Sequence, residues 1–264
     1  MDASVESFYN SFASRLIEDY VQKNDRVQHQ LRFLAAAIPS TAQSILILGC
    51  GSGESALFVA TQVATAARIL GLDISDANLR VARQVFRHER IVYQKADLTA
   101  TSLAGPWDVI ILPDVYEHIL RGERGRLHAQ LRSAVGKRGR ILLTVPSPGK
   151  QASLYASGKG LQPVDEVVTL EDLMRLAGDV KGTVTYFNSI SVWETNDYLH
   201  AVIELDADHV RPIEDSDCSP IKGWQRRTVW RRVCDAFLYR LHGIRLRDSW
   251  RRRWLRRRLS AREP

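Results

Sequence analysis

Ser44-Ile45-Leu46-Ile47-Leu48-Gly49-Cys50-Gly51-Ser52-Gly53 is the stretch on which the reading of the fold turns. A short apolar run ends in three glycines spaced two apart, which suits a buried parallel strand followed by a tight turn. Glycine has no β-carbon, so the chain can turn sharply there and come close to a ligand. The helical stretch that follows, Glu54 to Ala66, leaves its first backbone N–H groups free as donors. A strand, a glycine turn and a helix start in this order form a cradle for a small molecule.

The pattern repeats outward from this point. Arg68 to Asp73 reads as a second strand, Asp76 to Phe86 as a helix with Ser75 as its cap. Ile91 to Gln94 and Trp107 to Leu112 read as strands three and four, Arg124 to Val135 as a helix, and Arg140 to Val145 as strand five. Strand and helix alternate at a spacing that fits right-handed crossovers. Later, Thr169 to Ala177 reads as a helix capped by Thr169. Thr183 to Val192 and Tyr198 to Leu205 read as two strands joined by the turn formers Glu194-Thr195-Asn196-Asp197. Upstream, Phe8, Phe12, Leu16, Tyr20, Leu31 and Leu34 recur at helical spacing. The expected fold is α/β, a doubly wound and mostly parallel sheet ending in an antiparallel hairpin. Helices precede it and a basic helical tail follows. The expected organisation is a helical cap over residues 1–40, a central domain over 41–210 and the tail over 211–264.

An acid partners the glycine turn. Asp73 lies 20 residues after Gly53 and closes the second strand, where a carboxylate can accept from both ribose hydroxyls of a nucleoside. A dinucleotide fold would need G-x-G-x-x-G, its pyrophosphate resting on the helix start. Here the last position is Glu54, whose carboxylate repels a phosphate. An acid there suits a ligand with a positive centre and no phosphate, which S-adenosylmethionine is.

With these residues in view, the chain resembles the Rossmann-like S-adenosylmethionine-dependent methyltransferases over roughly Ser44 to Leu205. Ile45 to Gly53 resembles their first motif, and Asp73 the acid that grips the ribose. Ala96-Asp97-Leu98 is similar to the segment that caps the adenine, with Asp97 accepting from the exocyclic amine. Pro113-Asp114-Val115-Tyr116-Glu117-His118-Ile119 is similar to the E-H-[IV] form of the fourth motif, common in small-molecule O- and C-methyltransferases. The resemblance implies S-adenosyl-L-methionine as cofactor, held by Gly49, Gly51, Gly53, Asp73, Ile74, Asp97, Leu98 and Pro113. Cys50 reads as a small buried filler.

Asp114, Glu117 and His118 follow the fourth strand, where the resemblance points the methyl group. They are the candidate catalytic residues. His118 is the candidate general base, because an unperturbed imidazole titrates near neutrality. Its alternative role is to pack over the cofactor. D-x-x-E-H is also similar to the E-x-x-E-H of ubiquinone-type O-methyltransferases, where a divalent metal orients the acceptor. Asp114 reaches one methylene less than Glu, so a divalent metal is the lesser reading beside metal-free transfer. The run from Pro146 to Val168, rich in Gly, Ser, Pro and Lys, reads as a long lid or acceptor loop. Tyr9, Asn24 and Arg26 are lesser candidates for closing over the cofactor.

The chain has 264 residues and a formal net charge of +7. From Ile221 onward 15 Lys and Arg face 3 Asp and Glu, a local net of +12, and the rest of the chain is acidic. That tail interleaves Trp230, Val233, Phe237, Leu241 and Ile244, and later Trp250, Trp254 and Leu255, with arginine. It suits an anionic membrane surface, or docking on a protein partner or on its own domain. RNA is a lesser alternative, since nothing near the catalytic candidates reads a base. Cys50, Cys218 and Cys234 form no disulfide framework. There is no apolar span of membrane length and no secretion-signal layout, so the expected location is the cytoplasm, peripheral at the inner face of the membrane if the tail binds lipid. The expected acceptor is a small molecule, a sugar or a lipid-linked glycan. A non-catalytic S-adenosylmethionine-binding subunit, a nicotinamide oxidoreductase and an RNA methyltransferase are the competing readings.

Overall fold

The computed structural model describes residues 3–206, 253–255 and 257–258. Three N-terminal helices come first: α1 (Ala3–Ser11), α2 (Ala13–Gln22) and α3 (Asp25–Ala37). Then follow β1 (Ser44–Leu48), α4 (Glu54–Phe58), β2 (Arg68–Asp73), α5 (Asp76–Val85), β3 (Ile91–Lys95), β4 (Trp107–Pro113), α6 (Arg121–Ala134) and β5 (Val135–Pro146). The series ends with α7 (Pro148–Ser157), α8 (Leu170–Val180), β6 (Thr183–Ile190) and β7 (Tyr198–Glu204).

The seven strands form one sheet in the order β3-β2-β1-β4-β5-β7-β6. β1 to β5 pair in parallel, and β7 runs antiparallel to both β5 and β6. The alternation of β1 shows how the sheet is clad on both faces. Ile45 and Ile47 enter the core shared with α3, α4 and α5, whereas Leu46 and Leu48 enter the core shared with α6 and α8. The period of two puts successive residues on opposite faces. The chain leaves β1 for β2 and β3 on one side and returns to β4 and β5 on the other. The crevice beyond the carboxyl ends of β1 and β4 is therefore the switch point at which such sheets bind ligands.

Several elements differ from the sequence reading. The helix expected from Glu54 to Ala66 is α-helical only to Phe58 and continues as a π-helical turn over Val59–Val63. The run expected to be a loop after Pro146 holds α7. Ser147 Oγ caps it by accepting the Lys150 amide, Pro148 opens it, and Gly158 ends it at φ 64°. α3, grouped with the cap by sequence, packs Leu31, Phe33, Leu34 and Ala37 into the core on its face of the sheet.

α1 and α2 lie over the carboxyl ends of the strands. Asn10 Oδ1 accepts from Ser75 Oγ at 2.8 Å and from the Ala77 amide at 3.1 Å. Lys95 Nζ joins Glu6 at 2.6 Å and Asp76 at 2.7 Å. Residues 253–255 and 257–258 are helical, and Leu255 is buried with Tyr20, Val21, Val85 and Phe86. The rest of the expected tail, with Trp230, Phe237, Trp250, Cys218 and Cys234, lies outside the described residues. No helix among the described residues is long and apolar enough to cross a membrane.

Candidate active site

The glycine turn is left-handed at three places. Gly49, Gly51 and Gly53 have φ of 74°, 53° and 91°, a region L side chains rarely enter. The space beside them differs. A Cβ on Gly49 would stand 2.2 Å from Val115 Cγ2, and one on Gly53 would stand 2.5 Å from the Tyr93 hydroxyl. Those two glycines admit the protein's own side chains. Beside Gly51 the one atom within 4 Å is Leu16 Cδ1, at 3.4 Å. Gly51 is thus the member of the set that leaves room for a ligand under α2.

Asp73 is buried and fixed from two sides. Its Oδ2 accepts the Gly51 amide at 2.7 Å, and its Oδ1 accepts the Ser75 amide at 2.9 Å. Burial pushes its pKa up, against the pull of these amides and of Asn78. Asn78 Nδ2 also donates to Oδ1, at 3.4 Å; an ionised carboxylate has about four lone-pair sites, so Oδ2 keeps one for a hydroxyl. Ile74 follows, half-buried. Asp97 Oδ1 closes a local turn, accepting from the Thr99 amide at 2.8 Å and Thr99 Oγ1 at 2.7 Å. Leu98 packs on the edge of the second core. Cys50 is buried, and burial raises its thiol pKa well above the ordinary value, as suits a packing residue.

Beyond β4 the backbone is strained. Asp114 has φ 52°, uncommon for a residue with a β-carbon and concentrated at functional turns. Its amide donates to Thr144 O at 2.9 Å, and Thr144 Oγ1 donates to its Oδ1 at 3.1 Å. The Arg26 guanidinium pairs with its carboxylate. Gln30 Nε2 donates to Thr144 Oγ1 at 3.0 Å, and Ser55 Oγ donates to Gln30 Oε1 at 3.2 Å. One polar chain thereby ties α3 to the ends of β4 and β5 and to the start of α4. Asn24, by contrast, caps α3 through the Arg26 amide and bonds Asp19.

Glu117 and His118 form a short 3₁₀ turn with Tyr116. Glu117 is 2 % exposed, and its Oε2 makes no hydrogen bond among the described residues. Its Oε1 stands 3.7 Å from His118 Nε2. On the other edge of the ring, Nδ1 lies 2.7 Å from Val164 O and 3.2 Å from Asp165 Oδ1. Burial raises the Glu117 pKa. Burial also pulls the imidazole down, but Glu117, Asp165 and the Val164 carbonyl outweigh it and leave His118 above its ordinary value. Tyr9 of α1 closes the site with its ring 6.3 Å from that of His118. Its phenol is raised by burial and by Glu117, Asp165 and Asp73. The Tyr198 phenol is pushed up to about 12, by burial first, with Arg26 opposing.

The sequence candidates therefore fall into three places. Gly49, Gly51, Gly53 and Asp73 converge on the turn after β1. Pro113, Asp114, Glu117 and His118 line the end of β4, with Tyr9 and Arg26 against them. Asp97 and Leu98 sit beyond β3 on the adjoining side. Asp114 is engaged by Arg26 and Thr144, and no three His, Cys, Asp or Glu side chains group as a metal site among the described residues. Sequence reasoning missed Asp165, Thr144 and Gln30. No local signal marks them, since each meets its partner through topology.

Residues 45–139 match the family described as a methyltransferase domain. Solved structures share the fold. An S-adenosylmethionine-dependent methyltransferase from Mesorhizobium loti is 17% identical with a TM-score of 0.56, over 65% of this chain and 95% of its own. Magnesium protoporphyrin IX methyltransferase (ChlM) from Synechocystis, with bound SAH, is 23% identical with a TM-score of 0.58, over 77% of this chain and 98% of its own. The DhpI–SAH complex is 16% identical with a TM-score of 0.59, over 76% and 94%. No curated protein matches the chain.

Proposed function

We propose that this chain, whose residues 45–139 match a methyltransferase domain and whose fold is that of S-adenosylmethionine-dependent methyltransferases, uses S-adenosylmethionine to methylate a hydroxyl of a small molecule, a sugar or a lipid-linked glycan. The observation that carries this reading is the pair Glu117–His118. A buried carboxylate with one unpartnered oxygen stands next to an imidazole, at the strand end beside the glycine turn. A hydroxyl must lose its proton when it is methylated, so it needs such a base.

The residues fit the cofactor. The open space at Gly51, the buried Asp73 with a lone pair left on Oδ2, and Glu54 in place of a phosphate cradle all suit a nucleoside with a positive centre. Gly49, Gly51 and Gly53 would hold its amino-acid end, Asp73 and Ile74 its ribose, Asp97 and Leu98 its adenine, with Pro113 bordering the sulfur. When bound, S-adenosylmethionine supplies a methyl group already activated by its sulfonium. Glu117 and His118 take the acceptor proton. Tyr9 and α1 exclude water, which protects the activated methyl from hydrolysis. Arg26, fixed on Asp114, keeps a positive charge near Glu117 and draws it toward the ionised form.

Tritiated methyl transfer into a pooled small-molecule cell extract, with product hydrolysis to locate the label, tests the reading. Label on oxygen is the expected result, and tight adenosylhomocysteine binding without any transfer favours the non-catalytic alternative. A cytoplasmic location and contact of residues 221–264 with an anionic membrane belong to the same proposal and rest on sequence. Trp254 and Leu255 turn inward onto α2 and α5, so those two side chains would not supply the lipid contact. Liposome flotation of the whole chain checks that.

A further inference from the structure

Asp165 reaches the catalytic turn from 47 residues downstream of His118, carried by the run 158–168 between α7 and α8. That run is fastened at several points. The Glu166 amide donates to Glu117 O at 2.8 Å, and Arg121 Nη2 donates to Val167 O at 3.0 Å. The Tyr155 hydroxyl of α7 donates to Asp165 O, and the Gln162 amide donates to Asp165 Oδ2 at 2.6 Å. Val168 is buried in the core below. With its backbone and Oδ2 pinned, Asp165 has Oδ1 left to face His118 Nδ1 at 3.2 Å.

A neutral imidazole with Nδ1 against a carbonyl and a carboxylate has one good arrangement. Both neighbours are acceptors, so Nδ1 carries the hydrogen and Nε2 keeps its lone pair. Nε2 is the nitrogen on the Glu117 side. Among the described residues, Tyr9 from α1 meets the ring, while Tyr198 from β7 and Arg26 from α3 face its neighbours Glu117 and Asp165. None of them offers a second carboxylate on the Nδ1 edge.

We propose that Asp165 is a positioning residue for methyl transfer, fixing His118 as the Nδ1–H tautomer and compensating the imidazolium that forms. This rests on the reading of Glu117 and His118 as the proton-accepting pair. In the step, the acceptor O–H bond breaks and its proton passes to Nε2. The oxygen forms a bond to the methyl carbon as the carbon–sulfur bond breaks, and that electron pair stays on sulfur. The role matches the orienting acid of a catalytic triad, which holds the imidazole without taking the proton.

The whole chain is tested as wild type, Asp165→Asn and Asp165→Glu, with His118→Gln to assign the ring. Asn keeps an oxygen for the Gln162 amide while removing the charge. Long-range nitrogen NMR of labelled histidine reads the tautomer without any acceptor. Nδ1–H is expected in wild type, with the Nε2–H form appearing in Asp165→Asn. Methyl transfer from tritiated S-adenosylmethionine into one active extract fraction should fall roughly a hundredfold in kcat, with half-saturation and adenosylhomocysteine affinity unchanged and partial recovery in Asp165→Glu. An unchanged tautomer and kcat would mean the Val164 carbonyl suffices, and the proposal falls. A kcat loss matched by loss of adenosylhomocysteine affinity overturns it too, as a structural role. If wild type transfers no label at all, the reading of the pair as catalytic fails separately, and the tautomer still decides what Asp165 does.

Discussion

Asp73 Oδ2 accepts the Gly51 amide at 2.7 Å across 22 residues of sequence, so the acid that closes β2 also shapes the turn after β1. Removing it has two consequences. Asp73→Ala strands the Gly51 and Ser75 amides, which costs about 1–3 kcal/mol of stability for buried groups left unpaired. On the proposed placement of the cofactor it also removes the ribose acceptor. Adenosylhomocysteine affinity by calorimetry is expected to fall more than tenfold. Asp73→Asn keeps an acceptor and should lose less of both. Equal affinity in Asp73→Ala and wild type would remove Asp73 from the cofactor site.

The three glycines of the turn predict a graded series. Each has positive φ, so alanine at any of them meets about 1–2 kcal/mol of left-handed strain. Gly51→Ala adds little beyond that, since Leu16 Cδ1 is at ordinary contact distance. Gly49→Ala drives a Cβ into Val115 Cγ2 and should cost roughly 1–3 kcal/mol more from overpacking. Val115→Ala in the same chain should recover most of that excess. Urea denaturation of the three variants measures it. Gly51→Ala, the mildest for stability, should be the most harmful to cofactor binding, because the ligand would occupy its open side.

Much of this was legible in the sequence, and the remainder was not for identifiable reasons. β1 to β4 and their order follow from apolar runs closed by glycine, proline or acid, signals carried within each segment. α7 carries its own start and stop signals, although its composition reads as a loop. Ser147, Pro148 and Gly158 are a cap, a first-turn proline and a terminating glycine. The break of the N-terminal run into three helices turns on Phe12 and Lys23, the latter in left-handed conformation, which periodicity alone does not mark. Asp165 could not be found locally. Its partner His118 lies across α6, β5 and α7 in sequence and becomes its neighbour only when the sheet brings β4 and β5 together.

The Glu117–His118 pair gives the activity a direction with pH. His118 is held above its ordinary value of about 6.5 by Glu117, Asp165 and the Val164 carbonyl, against burial. A base must be deprotonated to act, so kcat should climb along a limb lying above pH 6.5. Glu117→Gln should move that limb down. Stability runs the other way. A histidine whose folded pKa exceeds its unfolded value contributes fully below the unfolded value, and that contribution is lost as pH rises through the folded one. Glu117, raised by burial, loses stability in the same direction, beginning above its own ordinary value of 4.5. Urea midpoints from pH 5 to 9 should therefore decline through the range in which kcat rises, and His118→Gln should flatten both curves. A kcat limb below pH 6 would show that His118 is not the titrating base.

The C-terminal segment predicts a link between the tail and the cap over the cofactor. Trp254 lies 5.8 Å from Tyr20 and 6.0 Å from Phe86, whose rings meet edge-on at 5.0 Å. Leu255 is 4 % exposed in the same cluster. Tyr20 belongs to α2, and one turn earlier Leu16 touches the space at Gly51. Further back, Tyr9 of α1 meets His118. The N-terminal pair of helices thus runs from the tail, over the glycine turn, to the turn that holds Glu117 and His118. Leu255→Ala is expected to cost about 2–5 kcal/mol where it packs, as for a leucine removed from a filled core. The loss should appear as faster amide hydrogen exchange in α1 and α2, with β1 and β4 unaffected, and as several-fold weaker adenosylhomocysteine binding. Trp254→Ala should act in the same direction. Exchange that stays slow in α2 while the chain as a whole loses stability would show that the tail supports the domain in general and has no particular hold on the cap.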